Sequence, residues 1–151
     1  MSNRIDYAKI SPDGYKAFGG VYVTLQKSGL PKVLVDLVYL RISQINGCAF
    51  CIDMHTRDLL KSGVTVEKLT LVAVWHDAGG LFSAEERAAL AWAESVTRVS
   101  ETGVPDADYA AAAAAFGDKA LADLTYAIGL MNAFNRFGIA FRSTPAAAAN
   151  L

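Results

Sequence analysis

Cysteine and histidine are scarce: 151 residues hold two of each, Cys48 and Cys51, His55 and His76. A disulfide-dense scaffold is excluded, and a zinc site, which needs four ligands or three and a water, has only these four side chains to draw on. An excess of one charge is lacking too, since 14 Lys and Arg face 15 Asp and Glu for a net charge of -1. With no basic field there is nothing to hold a phosphate backbone, so nucleic acid is not an expected partner. The opening residues, Met-Ser-Asn-Arg-Ile-Asp, carry no apolar secretory stretch, and no apolar run approaches a membrane span. The expectation is a cytoplasmic protein without a membrane partner. Sustained period-two alternation is also missing, which argues against a sheet.

What is present is apolar residues at helical spacing along nearly the whole chain, so the expected fold class is all-α: one domain over 1–151, a helical bundle of about seven helices. Ser11-Pro12-Asp13 starts helix one, whose Tyr15, Phe18, Val21, Val23 and Leu25 recur until Gly29. Pro31 opens helix two, striped by Leu34, Leu37, Val38, Ile42 and Ile45, and Gly47 ends it. Helix three runs from about Cys48 to Ser62. Thr65 caps helix four, which carries Leu69, Val72 and Trp75 toward Asp77. After Gly79-Gly80, Ser83-Ala84-Glu85-Glu86 reads as a capping box for helix five, through about Val99. Helix six spans about Asp106 to Phe116, and helix seven follows Gly117-Asp118 to about Phe141, bent near Gly129 or Gly138. Residues 1–10 form a lead-in, and 143–151 lack a stripe and read as a loose tail or an arm on a neighbouring subunit. Hydrophobic residues make up 53%, partly through alanine runs, and an excess of that kind points to subunit contacts in a homo-oligomer.

The stretch Ile45-Asn-Gly-Cys-Ala-Phe-Cys-Ile-Asp-Met-His55 concentrates the chemistry. On a helix, Cys48, Cys51 and His55 fall within about 60° of one another. In a first turn, unpaired N–H groups and the macrodipole favour negative charge and hence a thiolate, the form that attacks. If a peroxide oxidises one sulfur to sulfenic acid, the other can condense with it to a disulfide, which external thiols reset. Two readings compete with that one: inert core cysteines, and zinc held by Cys48, Cys51, His55 and His76. A thioredoxin-type domain would need strands that the pattern does not offer. His76-Asp77 also suggests a dyad, although neighbours on a helix point about 100° apart. Asn132, Asn135 and Arg136 form a polar patch inside an apolar helix and read as structural, since burial would demand hydrogen-bond partners.

The segments LVYLRISQINGCAFCIDMHTRDLLKSG, FSAEERAALAWAESVT and MNAFNRFGIAFR resemble the alkylhydroperoxidase-D-like branch of the carboxymuconolactone decarboxylase family, a likeness spanning most of residues 30 to 142. The resemblance implies a helical homotrimer or homohexamer that reduces hydroperoxides without metal or cofactor, using a redox-active Cys48–Cys51 disulfide. It casts Cys51 as the attacking cysteine that becomes sulfenic acid, Cys48 as resolving partner and proton donor, and His55 as proton relay. Asp36, twelve positions before Cys48, stands where a glutamate is usual; one methylene shorter, it would reach His55 less readily through water. Phe50 replaces a histidine that the best-known members carry between the cysteines. A lipoyl or thioredoxin-like protein is the expected reductant. The rival functions are a lactone-acid decarboxylase, whose branch typically lacks the cysteine pair, and a non-enzymatic thiol–disulfide sensor.

Overall fold

The computed structural model describes residues 4–148, and these contain eight α-helices, three short 3-10 segments and no strand. The helices are α1 (Tyr7–Ile10), α2 (Pro12–Leu25), α3 (Lys32–Asn46), α4 (Ala49–Lys61), α5 (Val66–Leu71), α6 (Ala84–Thr97), α7 (Val99–Thr102) and α8 (Asp106–Ala140).

Helix α3 is the axis of the bundle. Its consecutive residues Asp36 to Leu40 are all buried, and a helix buried on every side must be surrounded by others. It packs on α4, α6 and α8. One apolar cluster joins Val38, Tyr39 and Ile42 of α3 to Trp92 of α6 and Leu124, Ile128 and Met131 of α8. A second joins Leu37 and Leu40 to Leu59 of α4, Val72, Trp75 and Phe82. Glu94 on α6 ties three elements, accepting from Arg41 Nε of α3 at 2.6 Å and from Trp75 Nε1 at 2.9 Å. Burial alone would raise its pKa, but those two hydrogen bonds, with the charges of Arg41 and His76, together hold the carboxyl below the usual range.

The expected all-α class is met, with differences at the boundaries. Pro12 occupies the first turn of α2 and the Ser83/Glu86 capping box is formed on both sides. Helix α2 stops at Leu25 rather than near Gly29, because Lys27 N and Ser28 N bond back to Thr24 and Leu25 carbonyls in tight turns. The helix expected to run to Asp77 ends as α-helix at Leu71 and continues as a 3-10 turn over Val72–Asp77, with Val74 out of helical geometry. Arg87 holds the far end of that turn in place: its guanidinium donates to the carbonyls of Trp75, His76 and Gly79 at 3.0–3.2 Å. The two helices expected after Pro105 do meet at Gly117, whose φ of 70° and ψ of 170° break helical geometry inside the run labelled α8.

Within the segment read as a lead-in, α1 forms, and Arg4 N bonds to Phe141 O at 2.9 Å; residues 1–3 lie outside the described residues. Of the segment read as a loose tail, Ala146–Ala148 lies against α4 of the same chain, with Ala147 N donating to Asp53 Oδ2 at 3.2 Å, and 149–151 lie outside the described residues.

Candidate active site

The site begins where α3 ends. Gly47 takes the left-handed conformation, φ 73°, that reverses the chain between α3 and α4, and a side chain there would be strained. Asn46 is pinned beneath it: its Nδ2 donates to Asn132 Oδ1 at 3.0 Å and to Asn135 Oδ1 at 2.9 Å, both on α8. Asn135 Nδ2 donates in turn to Ser43 Oγ of α3 at 3.1 Å. The asparagines of α8 thus serve structure, holding the α3–α4 turn in place.

Cys48 is the N-cap of α4, its sulfur accepting from Cys51 N at 3.3 Å. The two cysteines are joined in a disulfide, Cα to Cα 5.3 Å, and are 1% and 3% exposed. Cys48 nevertheless lines a cleft of about 760 Å³, walled by Arg4, Phe50, Ile139, Arg142 and Pro145 among others. From α8, Gly138 meets the pair so closely that a β-carbon would stand 3.0 Å from Cys48 Sγ and 3.6 Å from Cys51 Sγ. Glycine is the residue that lets α8 lie against both sulfurs.

His55 follows Cys51 by one turn, on the same face of α4. It is 5% exposed, and neither ring nitrogen has a protein hydrogen-bond partner among the described residues. Burial pushes its pKa down to about 4, Asp58 opposing and Lys32 adding, so the imidazole is neutral at pH 7. Its ring packs 5.2 Å from that of Tyr39 on α3. Asp36 is buried as well, but its carboxylate pairs with Lys32, and no direct hydrogen bond joins it to His55. Burial holds the Asp36 carboxyl above the usual range in spite of Lys32.

The family model for the carboxymuconolactone decarboxylase family matches residues 12–95, which include the cysteine pair and its histidine. The chain belongs to that family. It is 35% identical over 140 residues to the uncharacterized protein YdfG of Bacillus subtilis, covering 93% of this chain and 95% of that one. Its structure matches that of the Agrobacterium tumefaciens protein ATU0492, described as of unknown function and as a candidate antioxidant-defence protein AhpD, with a TM-score of 0.91, 39% identity and coverage of 95% and 98%. A shorter stretch of 41 residues is 46% identical to the alkyl hydroperoxide reductase AhpD of Hyphomonas neptunium, covering 27% of this chain and 23% of that protein. Within the carboxymuconolactone decarboxylase family, the chain falls in the AhpD-like branch.

As a family member it brings Cys48, Cys51 and His55 together on α4, as their spacing requires, and leaves His76 elsewhere. His76 stacks on Trp75 at 3.6 Å and lines a separate cleft with Glu94 and Arg98. Among the described residues no group of three or more His, Cys, Asp or Glu is placed to hold a metal ion. None of their helices is long and apolar enough to cross a membrane. Sequence reasoning missed Tyr39 and Gly138 as neighbours of the site. Tyr39 could have been flagged by its place one turn after Asp36; Gly138 carried no signal beyond a possible bend.

Proposed function

We propose that this protein is a thiol-dependent hydroperoxide reductase, and the observation that carries the proposal is the joined Cys48–Cys51 pair at the start of α4, with a neutral histidine one turn on. In the reductive half, an external thiolate enters the cleft and attacks Cys48, the sulfur that lines it. A mixed disulfide forms and Cys51 leaves as a thiolate; the second external thiol then displaces Cys48 and carries the oxidation away. A lipoyl or thioredoxin-like dithiol protein suits that step.

In the oxidative half, neutral His55 takes the proton from Cys51, becoming an imidazolium, and the Cys51 thiolate attacks the distal peroxide oxygen. The O–O bond breaks, Cys51 becomes sulfenic acid, and the alkoxide takes the proton and departs as alcohol. Cys48 attacks that sulfenic sulfur, releasing water and restoring the disulfide. Asp36 is the acid end of this relay. The assembly proposed for the working protein is a homotrimer or homohexamer.

The test is consumption of cumene hydroperoxide with dihydrolipoamide as donor. The wild type should turn over many equivalents, and Cys51→Ser should fall to the uncatalysed rate. Unchanged turnover in that variant refutes the assignment, while a single equivalent consumed without turnover favours the redox-sensor alternative.

A further inference from the structure

Three buried polar atoms on two touching side chains stand without a protein partner: Tyr39 Oη, His55 Nδ1 and His55 Nε2. Tyr39 is 1% and His55 5% exposed. An unmet buried polar group costs about 1–3 kcal/mol, so three in one place call for a shared partner from outside the chain. A neutral imidazole presents one donor and one acceptor, and a phenol presents both. A single water between Tyr39 Oη and one ring nitrogen would satisfy both groups and leave the other nitrogen for Cys51.

Asp36 does not fill this place. Its carboxylate is taken by Lys32, and the ring that reaches His55 is that of Tyr39, one turn further along α3. Tyr39, Asp36, Lys32 and Tyr22 line one cleft of about 290 Å³ between α2 and α3.

We infer that Tyr39 is a positioning residue, its hydroxyl fixing the tautomer of His55 through a bridging water so that the unprotonated nitrogen addresses Cys51, with Asp36 acting behind it. The inference rests on the pairing of His55 with Cys51 in the proposed reaction. The groups acting on His55 are Asp58 of α4 and Lys32 of α3; those acting on Tyr39 are Tyr22 of α2 and Asp36 of α3. From α8, the residue against the cysteines is Gly138, which brings no charge.

The experiment is nitrogen-15 NMR of the imidazoles, simple to assign because the chain has two histidines and His76→Gln removes one. The wild type should show His55 locked in one tautomer, and Tyr39→Phe should release it into a mixture. In reduced protein carrying Cys48→Ser, the pH profile of Cys51 alkylation should move up by about one unit on adding Tyr39→Phe, roughly tenfold slower labelling below the pKa. A folded Tyr39→Phe protein with unchanged tautomer and unchanged profile overturns the inference. So does a wild-type spectrum already showing both tautomers, which needs no variant to fold. Neither readout involves peroxide, so a wild type that fails to consume peroxide while keeping a locked His55 would sink the function and leave this assignment standing.

Discussion

At the scale of single residues, His55 couples the site to stability. Its folded pKa of about 4 lies below the ordinary 6.5, so between those values the unfolded chain binds a proton that the folded chain refuses. Stability therefore falls as pH drops from 6.5 through 4, by about 3 kcal/mol at pH 4. Urea unfolding at pH 7 and pH 4 should show this loss in the oxidised wild type and not in His55→Phe. Asp36, held above its usual range, works in the opposite sense, and it is common to both proteins. The cysteines and His55 were legible because their relation is confined to one helix, where spacing dictates direction. Tyr39 and Gly138 were harder to read, since each reaches the site from another helix: Tyr39 was marked only by its place one turn after Asp36, and Gly138 carries no side chain to announce itself.

At the scale of elements, the α3–α4 turn depends on α8. Ser43, Asn46, Asn132 and Asn135 form one chain of amides and a hydroxyl, buried at Ser43 and Asn135 and half-buried at Asn46 and Asn132. Asn135→Ala removes its centre and takes one hydrogen bond each from Asn46 and Ser43, so it should destabilise by about 2 kcal/mol, read from urea midpoints. That Asn132 and Asn135 are structural could be anticipated from polar residues inside an apolar stripe; that they hold the cysteine turn could not, because their partners lie on a distant part of the chain. Helix starts were more legible than helix ends. Pro12 and the Ser83 box act locally, whereas the turn that follows α5 is held by Arg87 reaching across from α6.

At the scale of the whole molecule, apolar surface is left over. On α2 only Leu25 is buried, while Tyr15, Val21, Tyr22 and Val23 are exposed, as are Tyr109 and Tyr126 of α8. Val21, Tyr109 and Tyr126 border one apolar cleft of about 580 Å³ with Phe18 and Trp92 at its sides. The proposed trimer or hexamer would cover such a face. Sedimentation at micromolar concentration should give three or six times the chain mass, and Val21→Lys with Tyr126→Lys should reduce it to one. A wild type that sediments as a single chain ends that proposal. The bundle and the excess of apolar residues were readable from periodicity and composition; the face that carries the excess was not, because exposure is settled only when all the helices are packed.

The sulfur of Cys48 also begins a helix. Replacing it is therefore two experiments in one position. Serine keeps an acceptor for the Cys51 amide, so Cys48→Ser should unfold at the same urea concentration as the reduced wild type. Alanine supplies none, and Cys48→Ala should be weaker by about 1 kcal/mol. Where both variants are equally dead toward peroxide, that gap separates what the thiol contributes to chemistry from what it contributes to winding the first turn.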